Sequence, residues 1–170
     1  MRTFTLALLL VACTVRHDGF TPLANAAREG DADSVRQLCA RGADPNQPSG
    51  EHGWTPLLHA VHKNQLDNVR ALLDAGASAD IAAPNGTTPL MMAAGYGNRP
   101  MVALLLERGA KADVRDHSGA VALDYALTGV TDVDDFTFFR CQNDTAAVLA
   151  RVSPEPQHSS RRWAKMKGCA

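Results

Sequence analysis

Apolar and polar positions along the chain repeat with a step of about 33 residues. The triplet Thr-Pro-Leu at 55–57 returns at 88–90, a degenerate Val-Ala-Leu follows at 121–123, and an earlier Thr-Pro-Leu stands at 21–23. After each triplet, apolar residues recur at helical spacing up to a polar turn. Because threonine caps a helix and proline fits its first turn, each triplet predicts the start of a helix.

A second helix is predicted in each step. The pattern Val-x-x-Leu-Leu at 69–73 recurs at 102–106, and each copy is followed by a glycine and an alanine. Gly76 and Gly109 are expected to end these helices in a left-handed cap. Two helices in every 33-residue step indicate stacked helical repeats.

The motif Thr-Pro-Leu-x-x-Ala, followed by Leu-Leu-x-x-Gly-Ala within one 33-residue step, resembles the ankyrin repeat. The resemblance covers about residues 20–128, with a degenerate last helix to about 152. It implies an all-α fold, an ankyrin-repeat solenoid of about four repeats with short β-turn fingers between them. The predicted domain is 18–152, and its modified last repeat is expected to form a C-terminal cap.

The last repeat departs most from the motif. It has lost Thr and Pro, the pattern breaks after Thr128, and the second helix is expected only from Asp144 to Val152. Three phenylalanines in the intervening insertion are expected to cover the end of the stack: Phe136, Phe138 and Phe139. The histidine that usually follows Thr-Pro-Leu in this family is also absent, and His59 stands one place later, which turns it to another face.

Residues 1–15 are expected to form a signal segment. Arg2 precedes an apolar run from Phe4 to Val15, which is too short for a permanent membrane-spanning helix. Cleavage remains open between a lipobox-like Leu-Val-Ala-Cys that would lipidate Cys13 and Ala-Asn-Ala at 24–26, with an unprocessed chain as the third alternative. We expect an exported protein, in the periplasm or attached to the outer membrane if bacterial, and otherwise secreted.

Charge and motifs restrict the classes of function. The formal net charge is −1, but the segment 152–170 carries four basic residues against one acid, so the body is net negative. This argues against nucleic-acid binding by the body. The chain shows no Gly-rich phosphate loop, no nucleophile motif and no paired carboxylates on a defined scaffold. We therefore expect a non-enzymatic protein that needs no cofactor.

The resemblance implies that a protein partner contacts the fingers and the inner helices. Trp54 and Tyr96 stand out there, because each is a large amphipathic ring at a position that the repeat core does not need. The alternative for Trp54 is packing on the neighbouring finger. The predicted partner-binding surface of a monomer takes residues from three successive repeats: Glu51, His52, Trp54, His62, Lys63, Asn85, Thr87, Tyr96, His117 and Ser118.

Metal binding is a weaker alternative. His59 and His62 are three residues apart on a helix, with His52 in the preceding loop, a spacing that can present two nitrogens together. No Cys or carboxylate joins them at a recognised ligand spacing, so no metal site is predicted. The acidic run 132–135 lacks the glycine and distal glutamate of the usual calcium loop.

The cysteines call for separate interpretations. Cys39 replaces a leucine of the second-helix pattern and is expected to be a buried small hydrophobe. Cys141 and Cys169 flank the cap and the tail, and they could form a disulfide in an oxidising compartment.

The segment 153–170 contains two prolines and a basic cluster, and we expect a flexible or only weakly helical tail. It could lie on an anionic membrane or a nucleic acid, although docking on the acidic body or plain solvation is more common. The sequence therefore favours a protein-interaction module. An inhibitor or immunity-type protein for a secreted enzyme and a peripheral membrane binder are the alternatives, and the partner's identity does not follow from one sequence.

Overall fold

The computed structural model describes residues 19–129, 142–166 and 168. Their backbone forms helices joined by short loops, and Ser49 and Trp54 pair as an isolated antiparallel β-bridge. The helices in chain order are α1 (Pro22–Glu29), α2 (Ala32–Ala40), α3 (Pro56–His62), α4 (Leu66–Asp74), α5 (Pro89–Gly95), α6 (Arg99–Glu107), α7 (Ala122–Thr128), α8 (Asn143–Leu149) and α9 (His158–Met166).

Threonine hydroxyls cap the first helix of three repeats, as the sequence predicts. Thr21, Thr55 and Thr88 each accept a hydrogen bond at 3.2–3.3 Å from the backbone N–H three residues further on. Val121 has no such hydroxyl, and there the carboxylate of Asp124 accepts a hydrogen bond from the Val121 N–H at 2.9 Å. Helix α7 therefore starts in register although its Thr-Pro pair has been lost.

The helices pack in two rows. The inner helices α1, α3, α5 and α7 contact one another in succession, and so do the outer helices α2, α4, α6 and α8. Each inner helix also packs against the outer helix of its own repeat. The leucines of the four triplets are buried between these rows: Leu23, Leu57, Leu90 and Leu123. The apolar core is continuous along the stack, which confirms the all-α ankyrin solenoid.

Two glycines end the outer helices α4 and α6 as the sequence predicts. Gly76 and Gly109 have φ values of 90° and 86°. The alanine N–H after each glycine donates a 2.9 Å hydrogen bond back to the helix, to the carbonyl of Leu72 or Leu105. A side chain would strain this left-handed backbone, so glycine is the residue that allows the chain to turn here.

The loops between one repeat and the next form the fingers. They are finger 1 (43–55), finger 2 (77–88) and finger 3 (110–121). A side chain of one finger satisfies the backbone of the following finger. The Asn46 amide oxygen accepts from the Ser78 N–H at 2.8 Å, and the Asp80 carboxylate accepts from the Lys111 N–H at 2.9 Å. These bonds hold the fingers in register along one edge of the stack.

The C-terminal part differs from the sequence expectation. Helix α8 ends at Leu149 rather than near residue 152. The segment expected to be flexible or weakly helical instead contains α9, which packs against α7 and extends the inner row. Ser160 and Ala164, one turn apart, are 7% and 4% exposed. Their small side chains allow α9 to approach α7 closely, a property that overall composition does not reveal.

Several expectations concern residues outside the described part of the chain. These are the signal segment 1–15, lipidation of Cys13, the three phenylalanines of the insertion, and the pairing of Cys141 with Cys169. Among the described residues, no helix has the length and apolar character that a membrane crossing requires.

Candidate protein-binding surface

The indole of Trp54 lies among three imidazoles. Its ring centre is 5.2 Å from that of His52, 5.4 Å from that of His59 and 5.2 Å from that of His62. Finger 1 supplies the tryptophan and His52, and the inner helix α3 supplies the other two histidines. The backbone carbonyl of Trp54 accepts a 2.9 Å hydrogen bond from the Ser49 N–H. The turn of the finger therefore holds the half-buried indole against α3.

Further rings extend this cluster into the neighbouring repeats. Towards the first repeat, the ring centre of Phe20 is 5.1 Å from that of His59, and the Arg28 guanidinium lies 4.1 Å from the centre of the Phe20 ring. Towards the third repeat, the His62 Nδ1 is 2.8 Å from the Tyr96 hydroxyl. We define the aromatic–histidine surface as the six rings that form this chain of contacts: Phe20, His52, Trp54, His59, His62 and Tyr96.

His59 anchors the surface from below. It is 3% exposed, and its Nε2 donates a hydrogen bond to the Ser49 carbonyl at 3.3 Å. The pKa of His59 is lowered to about 4, mainly by burial and to a smaller extent by the nearby Arg28, His62 and His52, against the opposing effect of the hydrogen bond to the Ser49 carbonyl. The imidazole is therefore neutral at neutral pH. It orients the Trp54 ring but does not itself meet solvent.

The other predicted partner-binding residues occupy different environments. Six of them are exposed. Glu51 and His52 precede the tryptophan in finger 1, and Lys63 follows α3. Asn85 lies at the tip of finger 2, and His117 and Ser118 lie at the tip of finger 3. The two finger tips are joined by a 3.3 Å hydrogen bond from the His117 N–H to the Asn85 carbonyl.

Thr87 does not lie on the surface where the sequence interpretation placed it. It is 5% exposed, and its hydroxyl is 3.0 Å from the hydroxyl of Tyr125. The Tyr125 hydroxyl in turn donates to the Asp116 carboxylate at 2.8 Å. Thr87 thus belongs to a polar network that ties finger 2 to α7 and finger 3, which sequence reasoning missed because only the fold brings these residues together.

This network borders a polar pocket of about 370 Å³ between finger 3, α7 and α9. Burial would raise the pKa of Asp116, but hydrogen bonds from Ser118, Tyr125 and Ala120 outweigh it and lower that pKa. Burial, together with the neighbouring Asp116, raises the pKa of Tyr125 to about 12. Hydrogen bonds within the fold therefore stabilise the ionised carboxylate of Asp116.

Cys39 and the histidines do not form a metal-binding group within the described residues. Cys39 is only half-buried, in a groove of about 360 Å³ between α2 and α4, and burial raises the pKa of its thiol. A raised pKa disfavours the reactive thiolate. Across residues 19–129 and 142–166, no three His, Cys, Asp or Glu side chains form a group that could hold a metal ion.

Comparison with protein families agrees with the fold. One family model, described as ankyrin repeats in three copies, matches residues 3–83, and a second, described as ankyrin repeats in many copies, matches residues 72–126. A search of curated proteins found no significant match. Ankyrin repeats generally mediate protein–protein interactions, and the proteins that contain them are typically binding modules rather than enzymes. Taken with the helix pairs and fingers, these matches establish that the chain belongs to the ankyrin-repeat family.

Proposed function

We propose that the chain binds a protein partner through the aromatic–histidine surface and the adjoining finger tips. One observation carries the proposal: half-buried rings from three successive repeats, Phe20, Trp54 and Tyr96, are joined by ring contacts through the buried His59 and the half-buried His62. Aromatic residues make up only 5% of the chain. Their concentration on one surface is typical of interface anchors, which are enriched in Trp and Tyr.

The stack provides a rigid support for such an interface. Trp54 packs on α3, and the fingers are tied to each other by side chain to backbone hydrogen bonds. Since these groups are already ordered, binding would immobilise few additional side chains, which favours affinity. The exposed Glu51, Lys63 and His117 would form the polar rim around the rings.

The setting of this interaction is part of the proposal. An exported chain, in the cell envelope and attached through a lipidated Cys13 or secreted, would meet partners outside the cytoplasm. An inhibitor or immunity-type role against a secreted enzyme is one form of such binding. Peripheral membrane binding through α9 is the runner-up, because Arg161, Arg162 and Lys165 are exposed on that helix.

The test is affinity capture from the native envelope or secreted fraction, comparing the wild-type chain with the Trp54→Ala/Tyr96→Ala double variant. A matched control replaces two exposed residues of the outer helices, Arg70→Ala/Glu107→Ala. Loss of the anchors should weaken binding to the captured partner by about 30-fold for each anchor, since each anchor of this kind contributes about 2 kcal/mol or more. The control should bind as tightly as the wild type.

Folding must be checked separately, because both rings contact neighbouring repeats. Far-UV circular dichroism and thermal unfolding of every variant provide that check. A Trp54→Phe variant, which keeps an apolar ring in finger 1, should bind more tightly than Trp54→Ala but less tightly than the wild type. Equal recovery of the partner by a folded double variant and by the wild type would rule out this surface.

A further inference from the structure

The charged or titratable groups that act on the His59 ring beneath Trp54 are basic. They are Arg28, His52 and His62. The surrounding elements α1, finger 1, α3 and α5, with the residues that follow α3 and α5, contribute the following titratable or charged groups: Arg28 and Glu29, Asp44, Glu51 and His52, His59, His62 and Lys63, and Tyr96. Three of these are carboxylates, Glu29, Asp44 and Glu51; all three are exposed, and none is among the groups that act on the His59 ring.

We propose that the imidazoles around Trp54 select an acidic segment of the partner protein, and that binding strengthens in mildly acidic solution. This inference rests on the proposed function and specifies the chemistry of the partner. Histidine is the side chain that most readily gains a proton between about pH 5 and 8. A carboxylate of the partner would pair with an imidazolium, while an apolar neighbour in the same segment would pack on the indole.

The three histidines divide between two roles. His59 is buried and already donates its Nε2 proton to the Ser49 carbonyl, so it positions the indole. His52 is exposed on finger 1, and His62 is half-buried beside Tyr96. The ring centre of each of these two imidazoles is 5.2 Å from that of Trp54, and Arg28 adds a permanent positive charge beyond Phe20. A segment with acidic residues alternating with apolar ones fits this arrangement.

The probe for the test is a display library of random peptides of about twelve residues, selected on the full-length chain at about pH 6. The selected peptides should be enriched in Asp and Glu over the unselected library. Individual peptides, synthesised with a fluorophore, should bind about two- to tenfold more tightly at pH 6 than at pH 7.5, the range expected for one or two partly exposed ion pairs. Added salt should reduce this difference.

Histidine to glutamine substitutions test the cause of the pH dependence. His52→Gln and His62→Gln should each reduce the ratio of the two affinities. Arg70→Gln is the control for the loss of a basic side chain, because Arg70 is exposed on the outer helix α4 and lies outside the aromatic–histidine surface. The control should keep the wild-type ratio.

The outcomes separate this inference from the proposed function. The inference would be overturned if the selected peptides need Trp54 but show no enrichment in Asp and Glu. It would also be overturned if the ratio of the affinities at about pH 6 and pH 7.5 survives both histidine substitutions. Neither result would contradict the proposed interface. A library that yields no Trp54-dependent peptide would also overturn the inference, whereas the interface itself is decided by affinity capture with the double variant. A single-stranded thymidine oligonucleotide that binds Trp54 more tightly than the acidic peptides would assign the site to nucleic acid instead.

Discussion

The substitution Asn68→Ala tests how strongly neighbouring repeats depend on one buried polar side chain. Asn68 lies on α4 and is 1% exposed, and its Nδ2 donates to the carbonyls of Ala26 and Ala27 at 3.0 and 2.9 Å. Those carbonyls belong to the last turns of α1 in the preceding repeat. A hydrogen bond contributes about 0.5–1.5 kcal/mol net, so loss of both should lower the free energy of unfolding by about 1–3 kcal/mol.

Urea unfolding followed by far-UV circular dichroism measures this change. With a slope of about 1–3 kcal/mol per molar urea, the midpoint of Asn68→Ala should fall by about 1 M. The control Asn143→Ala removes an exposed asparagine at the start of α8 and should stay within about 0.5 kcal/mol of the wild type. A midpoint for Asn68→Ala equal to that of the control would refute the assignment of these two bonds.

A second variant separates the hydrogen bonds from the change in volume. Asn68→Asp keeps the shape of the side chain but replaces the donor with a carboxylate that faces the carbonyls of Ala26 and Ala27. An unpaired buried charge is more unfavourable than a lost amide, so at neutral pH this variant should be less stable than Asn68→Ala. Because repeats interact only with their neighbours, amide hydrogen exchange should accelerate more in α1 than in α5.

Two further predictions concern His59 and α9. The folded-state pKa of His59 is lowered from 6.5 to about 4, so the stability that the neutral ring contributes is present above about pH 6.5 and is lost as the pH falls towards 4. His59→Met copies the residue at the equivalent place in the next repeat. Between pH 6.5 and 4 its urea unfolding midpoint should fall less than that of the wild type, and equal falls would contradict the pKa assignment. Ala164→Asp places a charge at the buried face of α9 and should speed trypsin cleavage at Arg161 and Arg162. Met166→Asp, at an exposed position of the same helix, is the control and should not change the cleavage rate. Equal cleavage rates of the two variants would mean that α9 is not held on α7.

Local sequence patterns were sufficient to predict most of the helices. In each Thr-Pro pair the threonine hydroxyl accepts a hydrogen bond from one free N–H of the first turn, and the proline has no N–H to satisfy. The starts of α1, α3 and α5 therefore follow from their Thr-Pro-Leu triplets. For α9 the sequence indicated only a flexible or weakly helical segment, because the packing of α9 on α7 joins parts of the chain that are distant in sequence. Contacts between distant segments leave no local signature of this kind.

The candidate surface was only partly accessible to the same reasoning. Trp54 and Tyr96 were identifiable as large rings at positions that the repeat core does not require. Phe20 and His59 were missed as members of the surface, since their contact joins residues 39 positions apart in sequence. Thr87 was placed on the surface because a finger residue is usually exposed, but a tyrosine supplied by α7 buries it.

The equivalence of positions between repeats shows how the environment of Trp54 differs from that of its counterpart in the next repeat. The step of 33 residues aligns Trp54 with Thr87, and Thr87 shares a hydrogen bond with Tyr125 of the following repeat. The same backbone position thus packs inward in repeat three, whereas in repeat two it carries a ring that contacts His59 below and His52 beside it. The contact with His59 supports the packing interpretation for one face of the indole, and the proposed partner would meet the other face. Trp54→Ala removes the whole ring, and with it both the contact with His59 and the proposed contact with the partner. Trp54→Phe keeps a ring against His59 but presents a smaller ring to the partner. A Trp54→Phe variant that is as stable as the wild type but binds less tightly would therefore assign the outer face of the indole to the partner.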